Sequence, residues 1–455
     1  MAERAATRLS ALVALALVGC ANASVRARED GEKEARVEEV EEARVEETLA
    51  PERSEPAPLI DPEPSQPGGT PPIENAGALA PFFAALARTE AGEGVTRVTH
   101  LGDSSIGADG LPHAMRTLFG RDFGDAGPGY LRLQRQSNSD RNRTVSLTAA
   151  PPWELCVVIR RCKRDGRYGL GGMTVESRGR ARTIIHPQDG RALSRAELWY
   201  LAQPSGGRIG LTLGAQPEVI VETAAAALED RWHELDIEPG THRVQVRALG
   251  GGPARAFGVV LENEGPGVVW DSLSVVGAFT HRLLAHDEAH FARQLARRAP
   301  SLVVLNYGGN DLRRVVWGHV DRPTLEDETH RLLARVRDAV PQTACLVIGI
   351  SDHTRSGGAA VRPEHVQTVI GSQRAAALRA GCAFWDTTLA MGGDGAFPPW
   401  QRRGLGAGDG KHLTERGRQI IAARLYAALM HARARWRSPS LDDGRVSQRA
   451  LASRG

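Results

Sequence analysis

Val95-Thr96-Arg97-Val98-Thr99-His100-Leu101 alternates in polarity and then stops in the small polar turn Gly102-Asp103-Ser104-Ser105. Alternation is the period of a β-strand, and the next run, His113-Ala114-Met115-Arg116-Thr117-Leu118-Phe119, has helical spacing. A strand that ends in such a turn before a helix holds its hydroxyl at the carboxyl edge of a parallel sheet, where α/β proteins bind their ligands. Ser104 is therefore a candidate nucleophile, with a weight that depends on the motifs found later in the chain.

The 455 residues leave room for two folded units, and 41% hydrophobic with 5% aromatic content describes ordinary globular material. The net charge is +3, yet Val25–Glu63 carries 14 Asp and Glu against 6 Lys and Arg, so the remainder is basic. A basic surface suits an acidic polymer or an anionic membrane, and solvated arginines account for it equally well. No motif points to nucleic acid.

Leu12-Val13-Ala14-Leu15-Ala16-Leu17-Val18-Gly19 follows Arg4 and Arg8 and is too short to span a bilayer, which makes it a secretory h-region. Leu17-Val18-Gly19-Cys20 resembles a bacterial lipobox, which implies cleavage after residue 19 and acylation of the Cys20 thiol. An ordinary cleaved signal ending near Ala21-Asn22-Ala23 is the other reading. Four cysteines then remain, an even number that fits two disulfides in an exported chain. The expected pairs are Cys156 with Cys162 and Cys345 with Cys382, although the count alone leaves the connectivity open.

Residues 20–80 are Glu-rich and then Pro-rich, with few large apolar side chains, and are expected to form a disordered tether. From Val145 to about Glu262 come short β-rich runs (Thr183–Ile185, Glu197–Leu201, Arg208–Leu213, Glu218–Glu222, His242–Ala248, Ala256–Leu261) separated by turn residues. They predict a β-sandwich or jelly roll over 141–265. Alternation of strand and helix resumes afterwards. The expected order is strand Val268–Val275, helix Thr280–Arg298, strand Ser301–Asn306, helix Thr324–Val340, strand Ala344–Ile350, helix Pro363–Ala380, strand Ala383–Trp385 and helix Thr414–Arg433. Thr324 with Asp327 reads as a capping box and Thr414 as an N-cap. The fold class is thus α/β, a doubly wound parallel sheet over 81–140 and 266–435 interrupted by a β module, with a polar tail over 436–455.

The strands end in useful groups: Gly102-Asp103-Ser104, Val276-Gly277-Ala278 and Tyr307-Gly308-Gly309-Asn310-Asp311, with Asp409-Gly410-Lys411-His412 before the last helix. A serine hydroxyl needs a base to remove its proton, and imidazole is suited to that. An aspartate three residues earlier can turn back to the other ring nitrogen and hold the tautomer. Backbone N–H groups of Ser104 and Gly277 and the Asn310 amide are suited to hold the oxyanion of a tetrahedral intermediate.

In this order the four blocks resemble the SGNH or GDSL hydrolase superfamily, which has a flavodoxin-like sheet. The resemblance implies Ser104 as nucleophile, His412 as base, Asp409 as its orienting carboxylate, and Gly277 and Asn310 completing the oxyanion hole. It implies no cofactor and no metal. Phe123-Gly124-Asp125-Ala126-Gly127-Pro128-Gly129-Tyr130, Tyr168-Gly169-Leu170-Gly171-Gly172, and Trp385-Asp386-Thr387 leading to Met391-Gly392-Gly393 resemble a narrower group. These are envelope SGNH proteins acting on O-acetyl groups of peptidoglycan or other polysaccharides, with a carbohydrate-binding-type β module inserted at this point. Ser105-Ile106-Gly107 departs from the His-Thr-type sequence expected after the nucleophile, which bears on the substrate more than on the chemistry. The resemblance implies a periplasmic or outer-membrane lipoprotein that removes acetyl groups from an envelope glycan. An O-acetyltransferase and a non-catalytic glycan-binding lipoprotein are the alternatives.

Other motifs carry less. His286 and His290 stand at i and i+4, but Asp287 occupies the place where a zinc-protease pattern has Glu, so a solvated helix face is expected. The glycines at 166, 169, 171 and 172 do not open a helix after a strand and read as turns. Trp153, Tyr168, Trp199, Tyr200 and Trp232 suit either sugar stacking or the core of the module. Asp352, His353 and Trp400 fall in loops that reach the cleft or merely connect elements. The anchor has a direct test: labelled palmitate fed to expressing cells should enter the protein, and Cys20→Ser should abolish the label.

Overall fold

The structure, a computed structural model, describes residues 68–188, 192–238 and 240–438. The signal peptide, Cys20, the tether as far as residue 67 and residues 439–455 lie outside the described residues.

Five parallel strands form the central sheet: β1 (Val95–Gly102), β2 (Gly267–Ser274), β3 (Leu302–Asn306), β4 (Ala344–Ile348) and β5 (Ala383–Trp385). Their spatial order is β2-β1-β3-β4-β5, the doubly wound arrangement whose switch point lies between β1 and β3. Alternate residues feed two cores, as a strand buried on both faces requires. Val98, Trp270, Val304 and Leu346 face the helices Ala80–Glu90, Gly110–Phe123 and Glu415–Arg437, while Leu101, Leu273, Leu305 and Val347 face Glu288–Arg298, Arg322–Ala339 and Pro363–Arg379.

The inserted module is a sandwich of a six-stranded and a five-stranded sheet, joined by a core that includes Leu198, Ile209, Leu211, Val246 and Val259. It starts earlier than expected. Gly129–Leu131, assigned to the hydrolase part by composition, pairs antiparallel with Val259–Leu261 in the six-stranded sheet. The other face of that sheet packs on the α/β unit, so Tyr168, Trp199 and Phe257 share one cluster with Leu273, Phe291 and Leu295. Trp153, Tyr168, Trp199 and Tyr200 are buried, and Trp232 packs edge-on against Trp199. Core packing is therefore their role.

Several boundaries move for physical reasons. Residues 68–80 belong to the folded unit rather than to the tether. Glu74 forms an antiparallel bridge with Phe384, the Trp385 indole donates to the Pro71 carbonyl at 3.2 Å, and Ile73 and Leu79 are buried. This segment covers the exposed edge of β5. The helix expected over Thr280–Arg298 is two, Thr280–Leu283 and Glu288–Arg298, because Asp287 caps the second by accepting from the His290 N–H at 2.7 Å. Asp321, not Thr324, caps the helix Arg322–Ala339. Thr414 caps the last helix, which extends through Trp436 to Arg437 and so takes in the start of the expected tail. Disulfides join Cys156 to Cys162 and Cys345 to Cys382.

At the junction of module and sheet, Arg298 pairs with Asp271 of β2 at 2.7 Å and with Glu262 of the module at 2.7 Å, and Arg97 of β1 pairs with Glu262 at 2.6 Å. Burial disfavours the charged Glu262, but Arg97 and Arg298 outweigh it and hold its pKa below the ordinary value. Its contribution is present above the unfolded value of about 4.3 and is lost as pH falls toward the lower folded one. Arg298→Leu leaves two buried carboxylates short of a partner and should cost about 3–5 kcal/mol in urea unfolding. That gap should narrow as the pH drops below about 4.3.

Candidate active site

Asp103, at the end of β1, caps the short helix Ser104–Gly107 by accepting from the Ser105 N–H at 2.9 Å. Its other oxygen accepts from the Gly309 N–H at 3.2 Å, so one buried carboxylate ties the turn after β1 to the turn after β3. Burial is the largest influence on Asp103 and raises its pKa against the pull of these bonds. Ser104 begins the helix that Asp103 caps, and its hydroxyl faces the cleft.

The Ser104 Oγ lies 2.9 Å from His412 Nε2, and His412 Nδ1 lies 2.5 Å from Asp409 Oδ2. The second contact puts the ring proton on Nδ1 and leaves Nε2 to accept from the serine. Asp409 reaches the ring because its Oδ1 also accepts from the Lys411 and His412 N–H groups, at 3.0 Å each, folding the four-residue turn back on itself. Burial opposes the Asp409 charge, but the imidazole and the two backbone donors outweigh it and hold the carboxylate below its ordinary pKa. Ser105 points elsewhere, toward the Asn306 carbonyl at 3.3 Å.

Asn310 lines the same cleft as Ser104 and His412, and one of its amide hydrogens goes to the Ala278 carbonyl at 3.1 Å. Gly277 lies in the turn after β2, three residues past Ser274, the register partner of Gly102, and is not among the residues that line the cleft. The cleft holds about 60 Å³.

His353 lines the cleft, with Nδ1 donating to the Ser351 carbonyl at 2.7 Å. Burial lowers its pKa to about 4, so it is neutral at physiological pH. Asp352 and Trp400 are structural: Asp352 accepts from the Phe397 N–H at 2.8 Å, and the buried Trp400 donates to the Met391 carbonyl at 2.8 Å. His286 and His290 do not form the solvated face expected of them. Both are buried, with His286 donating to the Gly169 carbonyl at 2.8 Å while His290 accepts from the Gly169 N–H at 2.8 Å and donates to Asp230 at 2.6 Å. The Gly-rich turn of the module is thus docked on this helix. Among the described residues, His281, Asp311 and Glu328 are grouped closely enough to suggest a metal. Arg314 already bridges the two carboxylates, at 3.0 Å to Asp311 and 2.6 Å to Glu328, so a cation occupies that place.

The site residue that sequence reading missed is Asp103, although it has a signal, since an aspartate directly before a helix is a cap.

A hydroxyl, an imidazole and a carboxylate in one hydrogen-bonded row at the switch point of a doubly wound sheet define the class of serine hydrolases. Residues 240–420 match the model of the GDSL-like Lipase/Acylhydrolase family, a stretch that includes Asn310, Asp409 and His412. Ser104 lies beyond the insertion and is joined to them by the fold. The α/β part of the chain accordingly has the SGNH hydrolase fold, and over residues 240–420 its sequence is similar to the GDSL-like family. The whole fold is similar to that of a peptidoglycan O-acetylesterase, with a TM-score of 0.66 at 22% identity, over 79% of this chain and 98% of that one. A family two carbohydrate esterase from Cellvibrio japonicus (12% identity, 64% and 98% covered, TM-score 0.26) also matches. So does a Clostridium thermocellum family 3 carbohydrate esterase (17%, 38% and 76%, 0.27), though neither bears on the argument at those scores. No curated protein matches the chain in sequence.

Ser104→Ala and His412→Ala should each lower kcat on a small acetyl ester by about 10⁴-fold or more, because nucleophile and base act as a unit. Asp409→Asn should lose less, and Ser105→Ala should keep most of the activity. Wild-type rates in Ser104→Ala would mean that another group attacks.

Proposed function

We propose that this chain is an exported, lipid-anchored serine esterase that removes O-acetyl groups from peptidoglycan or another envelope polysaccharide. The observation that carries the chemistry is the row Ser104–His412–Asp409, with contacts of 2.9 and 2.5 Å. Ser104 Oγ attacks the acetyl carbonyl carbon while its proton passes to His412 Nε2, and Asp409 stabilises the imidazolium that forms. The negative oxygen is held by the Ser104 and Gly277 N–H groups and the Asn310 amide. The sugar oxygen leaves with the proton from His412, giving acetyl-Ser104. Water, deprotonated by His412, then releases acetate and restores the serine.

Support for the substrate is of two kinds. The cleft brings Ser104, Asn310 and His412 together, and the fold resembles that of a peptidoglycan O-acetylesterase. Export is supported by the two disulfides, which persist in oxidising compartments. The anchor at Cys20 rests on the lipobox resemblance. Water is the favoured acceptor, since a tethered esterase needs only an already acetylated polymer within reach.

Purified protein incubated with O-acetylated peptidoglycan and other acetylated polysaccharides should release free acetate, and Ser104→Ala should not. A product pool dominated by newly acetylated sugar, with unacetylated glycan in excess, would make the protein a transferase. An absence of both acetate release and any acyl-enzyme burst would leave a glycan-binding protein.

A further inference from the structure

The turn that carries Gly277 is held from outside the central sheet. Ala278 N–H donates to the Val275 carbonyl at 3.1 Å, and Gly277 has φ 79° while Val276 is not among the residues of positive φ. Positive φ at the third position alone makes Val275–Ala278 a type II turn. Type I and type II differ in the orientation of the central peptide, here the one between Val276 and Gly277. In a planar trans peptide the carbonyl and the N–H point in opposite directions, so a flip that turns the Val276 oxygen around also reverses the Gly277 N–H. Glycine tolerates either sign of φ, and the backbone therefore does not decide between the two.

Gln136 decides it. Its Oε1 accepts from the Val276 N–H at 2.9 Å and its Nε2 donates to the Val276 carbonyl at 2.9 Å, so both peptide planes around Val276 are pinned by one side-chain amide. Gln136 is itself fixed. Asp140 accepts from its backbone N–H at 2.8 Å and from the Ser274 hydroxyl at 2.9 Å, and Arg132 bonds to both Asp140 and the Ser274 carbonyl. The same loop reaches two other parts of the site: the Arg141 N–H donates to the Gly107 carbonyl at 2.8 Å, and Arg143 pairs with Glu415 at 2.6 Å, just beyond His412.

We propose that Gln136 is a positioning residue that holds the Val276–Gly277 peptide in the orientation that presents the Gly277 N–H to the developing oxyanion. The inference rests on the assignment of Gly277 as an oxyanion donor made above. With the peptide flipped, a donor is withdrawn and a carbonyl oxygen takes its place, so the negative charge meets a dipole of the wrong sign.

The test uses the full chain, a small acetyl ester, and a boronic acid that forms a tetrahedral adduct on Ser104. Gln136→Glu preserves shape and the acceptor, but its carboxylate cannot donate to the Val276 carbonyl; Gln136→Met removes both bonds. Each should lower kcat by about 10-fold or more, short of the 10²–10³ for losing a donor outright, and weaken the boronic acid by a similar factor. KM should stay within about twofold, because ground-state binding is untouched. Gln136→Met combined with Gly277→Ala, which disfavours the type II turn, should be no worse than the more damaging single change. Unchanged kcat in folded Gln136→Glu and Gln136→Met, an effect confined to KM, or fully additive losses in the double variant would each overturn the proposal. If Asn310→Ala and Ser104→Ala also retain activity, the functional assignment itself has failed, and the inference falls with it.

Discussion

Arg298 is 2% exposed, and everything around it depends on its charge being answered. A buried guanidinium without partners is prohibitively unfavourable, so its position is fixed by the carboxylates that meet it. Asp271 comes from β2 and Glu262 from the last strand of the module, and Glu262 also receives Arg97 of β1. Three separate segments therefore converge at the point where the chain leaves the module and enters the parallel sheet. Tyr130, on the module's first strand, joins through its N–H to Asp271 at 2.8 Å. The consequence is a fixed register between β1 and β2, from Val95 opposite Gly267 to Gly102 opposite Ser274, so the turns that follow the two strands leave the same edge of the sheet.

The module is consequently part of the enzyme's frame. Its six-stranded sheet shares a hydrophobic cluster with the helices of the α/β unit, and Gly169 is gripped by His286 and His290. Of the aromatic side chains that composition alone would allow as sugar platforms, Tyr168, Trp199 and Trp232 pack in this contact and Trp153 and Tyr200 in the sandwich core. Removing the module would expose Leu273, Phe291 and Leu295 to water, so deletion would test folding before any role of the module in binding.

What could be read from the chain was what is local in it. The strand before Ser104, the Asp409–His412 turn and the order of strands and helices from β2 onward follow from period, caps and spacing within short windows. The early start of the module was hidden because Gly129–Leu131 is three residues long and pairs with a strand far away in sequence. Residues 68–80 looked like a tether because their apolar content is low, yet Ile73 and Leu79 with a bridge at Glu74 are enough to dock them on β5. His286 and His290 were misread for a related reason: a histidine's spacing along a helix does not reveal what covers that helix. Pairing between distant segments is written in no window of the sequence.

The insertion interrupts the chain between Ser104 and the turn after β2, which looks like a poor place for it. Loop closure grows only slowly more expensive with length, and here the ends are also held together. The entry strand Gly129–Leu131 and the exit strand Ala254–Asn263 are hydrogen-bonded neighbours, so the α/β unit meets the whole module as it would meet the two legs of a hairpin. The connection from the entry strand to the rest of the module then passes over the carboxyl edge of the sheet, and that passage is residues 132–143. A loop forced to cross the site by the topology can carry side chains that fix the site's backbone, as Gln136 does at Val276 and Arg143 at Glu415. The position of the insertion is therefore tied to the geometry of the cleft: the segment that admits the module is the one that holds the turns around Ser104 in place.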